Sequence, residues 1–161
     1  TAETVYLFDT KKTIYSKDKE TRLDAFLKVK NITNTPLGEG KIEIFNKDYF
    51  VTETKLPALS INQEVYLFYD KAFDLTGNKI VTESSSNKNE KYRSYKITLN
   101  NFKNEYTLVE VIDYIPGQNT KIVSSNYKYT LLSEDKIKFK VMVPAQNSIS
   151  IIYKIEQQTI R

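Results

Sequence analysis

The chain of 161 residues is long enough for one large domain or two small ones, and 40% of it is hydrophobic, which is ample for a packed core. It contains no cysteine and no histidine, which excludes a disulfide framework and thiolate metal sites and removes the commonest general base, so the composition argues against an enzyme. The net charge of +4 comes from 24 basic and 20 acidic residues that are interleaved along the chain, as is typical of a mixed solvated surface.

Alternation of apolar and polar residues dominates the chain and predicts short β-strands throughout. In chain order the predicted strands are 3–8, 12–16, 23–32, 40–46, 49–54, 64–69, 78–83, 92–100, 105–115, 121–124, 127–132, 136–143 and 148–156. Asp70 could cap a single helical turn that reaches Leu75, and a Thr-Gly-Asn turn is predicted at Gly77. Because Gly is scarce, at 4 residues, we expect asparagine to supply the left-handed turn conformations.

A sequence pattern typical of β-strands occurs twice along the chain. Each copy contains a strand that ends in Asn, a later Pro-Ala step and a final alternating strand. These features are Asn31, Pro57-Ala58 and residues 65–69 in the first copy, and Asn100, Pro144-Ala145 and residues 149–153 in the second. An internal repeat of this kind predicts two related structural units.

We therefore predict an all-β fold of two related immunoglobulin-like β-sandwich units packed together, with one larger β-sandwich as the alternative. The first unit spans residues 1–82 and carries an extra N-terminal strand, and the second spans residues 92–161. The polar segment 83–91 between them is predicted to be an interdomain linker or a hairpin loop, and the linker is favoured.

Aromatic residues are concentrated in the first half of the chain. Four of them are predicted to point away from the aliphatic faces of their strands: Phe26, Phe45, Tyr66 and Phe68. A strand that is apolar on both faces is usually buried on both, which predicts an interdomain or subunit contact; an exposed platform for a sugar or a peptide is the alternative. The N-terminal residues Val5, Tyr6, Leu7 and Phe8 could form a strand that adds to a neighbouring subunit's sheet.

Acidic residues offer only weak candidate sites. Glu110 and Asp113 lie three positions apart, so on a regular strand they face opposite sides and cannot act as a catalytic pair. Asp70, Asp74 and Glu83 could in principle hold a hard cation, but their spacing matches no calcium-loop motif. We therefore predict no catalytic residue, no metal ligand and no cofactor.

Two further patterns have simple explanations. Lys136, Lys138 and Lys140 share one face of a strand, where they could form a basic patch or protect a sheet edge from pairing. Asn31-Ile32-Thr33 is an N-glycosylation acceptor triplet, which is short enough to occur by chance.

The segments 37–45, 72–75, 100–116, 141–145 and 153–155 together resemble the C-terminal uncharacterised domain of mucoidy-inhibitor-A-like proteins. The matching residues include Leu37-Gly38-Glu39-Gly40 and Val109-Glu110-Val111-Ile112-Asp113-Tyr114-Ile115-Pro116. The resemblance covers roughly residues 23–156 and is poorest at 83–91. It implies an all-β domain of bacterial or archaeal envelope-associated proteins with no established activity, which a coiled coil usually precedes.

These observations favour a non-enzymatic β-sandwich module for protein–protein contact or surface assembly. We expect a protein partner or self-association, no nucleic acid and no membrane-spanning segment, and an extracellular or envelope location. A carbohydrate-binding module that uses Tyr and Phe platforms is the alternative, and a carboxylate-dependent hydrolase is the second alternative. The chain begins with Thr1, so we also expect that an upstream segment has been removed or omitted.

Overall fold

The computed structural model describes residues 2–13 and 20–159, and almost every element in it is a β-strand. The strands are β1 (Ala2–Asp9), β2 (Thr21–Lys30), β3 (Gly40–Asn46), β4 (Tyr49–Leu56), β5 (Glu64–Ser86), β6 (Glu90–Asn101), β7 (Thr107–Tyr114), β8 (Thr120–Ser125), β9 (Tyr129–Ser133), β10 (Lys136–Val143) and β11 (Asn147–Gln158). One short 3-10 helix, Thr10–Thr13, follows β1. The predicted all-β class is confirmed, and the predicted strand 12–16 lies largely outside the described residues.

The strands form a nine-stranded sheet in the order β8-β11-β6-β5-β2-β1-β7-β10-β9 and a two-stranded sheet, β3-β4. The chain divides into two compact units. Unit 1 comprises residues 1–6 and 24–71, and unit 2 comprises residues 7–23 and 72–161. These boundaries differ from the predicted ones, because β1, β2 and β5 each contribute residues to both units.

Unit 2 contains most of the buried apolar side chains. The inward residues of β6 and β11 pack against those of β7 and β10, as shown by the contact of Phe139 with Tyr153, whose ring centroids are 5.7 Å apart. Seventeen hydrophobic residues of this unit are buried, including Ile97, Val111 and Ile151. The alternating burial of β7 and β10 follows the apolar-polar alternation of their sequences, which is why the sequence predicted these strands well.

Unit 1 has a smaller core. Ala25 on β2 and Leu67 on β5 are buried, as are Ile44 on β3 and Leu59 in the segment after β4. Leu37 and Leu59 exchange backbone hydrogen bonds at an isolated bridge, which ties the chain before β3 to the chain after β4. These four are the hydrophobic residues that unit 1 buries among the described residues.

β5 is one continuous strand where the sequence predicted a strand, a helical turn and a turn at Gly77. Gly77 lies in mid-strand opposite Leu99. A Cβ atom at this position would lie 3.1 Å from three ring carbons of Phe8, so the absence of a side chain allows the Phe8 ring to pack flat against the strand. Gly77 is therefore a close-approach position and not a turn.

The segment 83–91 is not an interdomain linker. Residues 83–86 end β5, residues 87–89 turn, and β6 begins at Glu90. The Asn87 side chain accepts hydrogen bonds from the backbone amides of Asn89 and Glu90, at 2.9 and 2.8 Å, which stabilises this turn. The segment lacks apolar residues because it is an exposed hairpin end, so the alternative prediction of a hairpin loop describes it better.

The N-terminal strand is paired on both sides. β1 lies between β2 and β7 in the sheet, and Phe8 is only 2% exposed. Val5, Tyr6, Leu7 and Phe8 therefore do not form a free strand that could add to a neighbouring sheet. Their apolar character, which suggested an exposed recognition strand, instead reflects a position inside the sheet.

Left-handed backbone conformations are supplied by side-chain-bearing residues. Lys47, Asn62, Asn119 and Gln146 have φ values of 55°, 64°, 55° and 54°, and no described glycine has a positive φ. The expectation that asparagine would take over this role of glycine is confirmed at two of these four positions.

No helix among the described residues has the length and apolar character needed to cross a membrane.

Candidate functional site

Three of the four predicted aromatic binding residues come together in unit 1. Phe26 on β2 and Phe68 on β5 have ring centroids 5.7 Å apart and ring planes at 70°. Tyr66 lies two residues before Phe68 and so shares its face of the strand. Phe68 is 50% exposed and Tyr66 is 41% exposed, whereas Phe26 is half-buried. We call these three residues the β2–β5 aromatic patch.

Ion pairs border this patch. The Lys28 ammonium lies 3.2 Å from a Glu3 carboxylate oxygen and 3.8 Å from Glu64, and Lys30 lies 3.9 Å from Glu64. The hydrogen bond to Glu3 and the nearby Tyr66 hydroxyl raise the pKa of Lys28 above its ordinary value of 10.5. The patch therefore has an apolar centre and a charged border.

The fourth predicted residue, Phe45, lies elsewhere in unit 1. It is on the two-stranded sheet and contacts Phe50, with ring centroids 5.8 Å apart and ring planes at 74°. Phe45, Tyr49 and Phe50 are 54%, 79% and 58% exposed at the end of the β3–β4 hairpin. The structure therefore splits the predicted set into the β2–β5 aromatic patch and an aromatic hairpin end.

A second cluster lies inside unit 2 and was not predicted from the sequence. Asp113 on β7 is fully buried, and its carboxylate faces the Lys79 ammonium at 2.7 Å. The Thr10 hydroxyl donates to the same carboxylate oxygen at 2.6 Å, and the Tyr153 hydroxyl donates to the other. The Tyr114 amide adds a fourth donor at 2.8 Å. These donors satisfy both oxygens of the buried carboxylate, and the Lys79 ammonium is its ion-pair partner.

Aromatic rings surround the cation of this cluster. The Lys79 ammonium lies 4.1 Å from the centre of the Tyr95 ring, and Tyr95 and Tyr153 are themselves 5.2 Å apart. Burial and the adjacent Asp113 carboxylate raise the pKa of the Tyr153 hydroxyl far above its ordinary value of 10.0. The cluster is closed and saturated with internal bonds, so it serves the core of unit 2.

The strand register, which the sequence did not predict, identifies Lys79 as an inward-facing residue. In the β5–β6 register it is opposite Ile97, which is completely buried, so Lys79 occupies an inward position. A lysine at such a position requires a buried carboxylate partner. The predicted turn at Gly77 hid this register.

Glu110 and Asp113 lie on opposite faces of β7, as their spacing predicted. Glu110 faces Lys138 and Lys140, at 3.1 and 3.6 Å, on the opposite side of β7 from the Asp113 cluster. These two lysines neutralise a buried carboxylate, and β10, which carries them, lies between β7 and β9. They are therefore neither protection for a sheet edge nor a separate basic patch.

Another pair of carboxylates does lie close together. The Tyr92 hydroxyl is 2.6 Å from Glu90 and 3.2 Å from Glu156. Its hydrogen bond to Glu90 and partial burial raise the pKa of Tyr92 to about 12, and the same hydrogen bond lowers the pKa of Glu90. Lys121 also lies 3.0 Å from Glu156. A hydrolase that uses two carboxyl groups needs one of them to have a raised pKa so that it can act as the acid. The contacts of Glu90 instead favour its ionised form.

Asn31 has a structural role that conflicts with glycosylation. It is 1% exposed, and its amide nitrogen donates to the carbonyls of Thr35, Leu59 and Ser60 at 2.9, 3.3 and 3.2 Å. A glycan on this nitrogen would displace these hydrogen bonds, which argues against modification of the folded chain.

Asn101 repeats this arrangement in unit 2. Its amide nitrogen donates to the carbonyls of Glu105, Val143 and Pro144 at 2.9, 3.0 and 3.2 Å. Each asparagine also accepts a hydrogen bond from the backbone amide two residues later. The predicted counterpart of Asn31 was Asn100, one residue too early, and the internal repeat itself stays a prediction.

Among the described residues, no three acidic, cysteine or histidine side chains form a group that could hold a metal ion. Asp70, Asp74 and Glu83, which were considered for a cation, therefore do not meet in one cluster. Asp74 instead lies 3.6 Å from the Lys103 ammonium.

The elements above define an all-β protein with a large and a small sheet. No protein-family model matches the sequence, and no curated protein matches it significantly. The resemblance to mucoidy-inhibitor-A-like proteins, and with it the envelope location, therefore stays a prediction.

Solved structures that are similar include the yeast delta-COP-I mu-homology domain. The two chains are 12% identical with a TM-score of 0.41, and the similarity covers 99% of this chain and 74% of that chain. A similarity at this level carries no argument about what the present chain binds.

Proposed function

We propose that this protein is a non-enzymatic module for protein–protein contact and that its unit 1 binds a protein partner through the β2–β5 aromatic patch. The observation that carries the proposal is the imbalance of apolar side chains in this unit. Among its described residues four hydrophobic side chains are buried, whereas seven large ones are exposed. The exposed residues are Ile32, Phe45, Tyr49, Phe50, Ile61, Tyr66 and Phe68. Exposed apolar surface on this scale, with a polar border, is typical of a binding surface.

The ring geometry favours a protein partner over a sugar. A pyranose ring stacks on the flat face of an aromatic ring, and several sugars in a row need rings that lie in one plane. Here Phe26 and Phe68 meet edge to face at 70°, so they form a ridged surface. Such a surface suits an apolar side chain from a partner, while Lys28, Lys30 and Glu64 provide charged groups at the border.

Site-specific photo-crosslinking in the native cell tests this proposal. A photoreactive amino acid replaces Phe68, which is 50% exposed, and a control variant carries it at Val123 of unit 2, which is 43% exposed. We expect a discrete protein adduct from position 68 and none from position 123. Excess wild-type chain should compete for the adduct, and a Tyr66→Ser/Phe68→Ser chain should not.

Two outcomes would reject the proposal. Absence of adducts at position 68, or equal adducts at both positions, means that the patch does not bind a protein. A glycan-array signal that is lost in the Tyr66→Ser/Phe68→Ser chain would favour the carbohydrate-binding alternative.

A further inference from the structure

The two-stranded sheet has an open edge on β3. β3 pairs with β4 from Gly40↔Leu56 to Asn46↔Tyr49, and it pairs with no other strand among the described residues. Its outer edge therefore presents a row of backbone N–H and C=O groups that can pair with another strand. This edge is separate from the β2–β5 aromatic patch, so an inference about it does not depend on the proposed function.

The charges on this hairpin are poorly matched within one chain. Directly opposite pairs carry like charges, because Lys41 faces Lys55 and Glu43 faces Glu53. The ion pairs run diagonally instead, from Lys41 to Glu53 at 3.2 Å and from Lys55 to Glu39 at 3.2 Å. Glu43 forms no ion pair within 4 Å among the described residues, and it lies opposite the like charge of Glu53.

We propose that a second copy of this chain binds at the β3 edge, antiparallel and centred on Ile42. In that register Lys41 of each copy lies opposite Glu43 of the other, so both unpaired Glu43 carboxylates gain a cation. The two-fold symmetry of such a pair makes every contact occur twice.

The same charges exclude the neighbouring registers. If the inward-facing side chains of both copies are to lie on the same side of the joined sheet, the two-fold axis must pass through a residue and not between two residues. The neighbouring registers therefore have the axis at Lys41 or at Glu43. Centring on Lys41 places Lys41 opposite Lys41, and centring on Glu43 places Glu43 opposite Glu43. Charged residues usually protect an edge strand from pairing, but here their alternation is self-complementary in the register centred on Ile42.

A charge-swap series measured by sedimentation equilibrium tests the proposal with the whole chain. We expect a concentration-dependent dimer for the wild type. Glu43→Lys and Lys41→Glu should each weaken the dimer about tenfold or more, because each variant places like charges opposite one another across the interface. The double variant Lys41→Glu/Glu43→Lys restores opposite charges and should restore the affinity.

The series separates loss of pairing from loss of folding. Within one chain Glu43→Lys replaces the Glu43–Glu53 repulsion by an attraction, so this variant should stabilise its own hairpin while it weakens the dimer. Lys55→Glu on β4 is the matched control, because it changes the hairpin charge without touching the β3 edge, and it should leave the dimer intact.

Three results would overturn the proposal: a wild-type monomer at every concentration up to the solubility limit, a dimer that Glu43→Lys leaves unchanged, or a double variant that stays monomeric. A dimer lost instead in the Tyr66→Ser/Phe68→Ser chain would assign self-association to the aromatic patch. Crosslinking at position 68 to a different protein, without a dimer, would retain the proposed function and reject this inference.

Discussion

At the scale of single residues, the most consequential position is Lys79, a half-buried lysine whose ammonium lies 2.7 Å from the fully buried Asp113 carboxylate. Two charges removed from water are tolerated only because each compensates the other and hydrogen bonds satisfy the remaining oxygens. The partners lie on strands that are distant in sequence, so periodicity alone could not pair them. The sequence could show that Lys79 and Asp113 exist, and only the fold shows that they meet.

Removing one partner of this ion pair should be costly. We expect Lys79→Met to destabilise the chain by about 3–5 kcal/mol, because it leaves the Asp113 carboxylate buried without a cation. Lys79→Met/Asp113→Asn should be less destabilised, since it leaves no charge without a partner, and the single Asn oxygen can still accept the hydrogen bond from the Thr10 hydroxyl. Urea unfolding gives these free energies of unfolding.

The control for this ion pair is an exposed one. Lys55 and Glu39 have side chains that are 69% and 68% exposed, so Lys55→Met should change the free energy of unfolding by about 1 kcal/mol or less. If Lys79→Met costs no more than Lys55→Met, the buried pair does not have the role assigned to it.

Tyr153 should make stability depend on pH in the alkaline range. Its folded pKa is raised above the ordinary value of 10.0, so below that value the hydroxyl is protonated in both states and contributes no pH dependence. Above it the unfolded chain loses this proton while the folded chain keeps it, which favours unfolding. Stability should therefore fall as pH rises through 10 and beyond.

Tyr153→Phe should remove the contribution of Tyr153 to the loss of folding stability above pH 10. At neutral pH this variant is less stable by about 1–3 kcal/mol, because Asp113 loses one buried donor. The difference in stability between wild type and variant should then shrink as the pH rises above about 10. Urea midpoints measured across this range test the effect, and a difference that does not change with pH would contradict it.

At the scale of elements, the sequence predicted strands wherever one face is buried and the other is exposed. β7, β10 and β11 were predicted nearly to their ends because their alternation is regular. β5 was broken into pieces because Asp70 and Gly77 are turn-type residues, although tertiary pairing with β6 keeps the strand extended through residue 86. At these positions hydrogen bonding between strands that are distant in sequence outweighs the turn preference of the individual residues.

The same limit applies to the candidate site. The outward direction of Phe26, Tyr66 and Phe68 follows from their spacing, and the structure groups them. Phe45 was assigned to the same group because alternation defines a face but not which sheet carries it. The role of β1 was missed for a related reason, since an apolar strand in the middle of a sheet and an apolar strand awaiting a partner have the same composition.

Gly77 gives the element-scale prediction. Gly77→Ala should destabilise the chain by about 1–3 kcal/mol, because its Cβ would meet the Phe8 ring at 3.1 Å. Phe8→Leu should cost stability on its own but reduce the additional cost of Gly77→Ala, which a double-mutant cycle of urea unfolding measures. Gly38→Ala is the control, because no atom lies within 4 Å of a Cβ there.

At the scale of the whole molecule, apolar burial is uneven. Among the described residues unit 2 buries seventeen hydrophobic side chains and unit 1 buries four. Local stability follows the number of buried apolar contacts, so the free energy of opening should differ between the units. The proposed binding surface lies on the unit with fewer buried apolar side chains, so we expect it to adjust to a partner at small cost.

Hydrogen exchange measures this difference. We expect the amides of β2, β3 and β4 within residues 24–56 to exchange faster than those of β6, β7, β10 and β11. Addition of the partner of unit 1, or dimer formation, should slow the first group selectively. Equal protection of both groups in the free chain would contradict the expected order of stability.

The order of strands also has a consequence for synthesis on the ribosome. β1 is made before β7, yet it lies beside β7, and Thr10 reaches its hydrogen-bond partner Asp113 across a separation of 103 residues. At roughly 5–20 residues per second, the growing chain waits on the order of 5–20 s before that neighbour emerges. During this interval one edge of an apolar strand is unpaired, so the nascent chain should depend on protection from aggregation until β7 and β10 are complete.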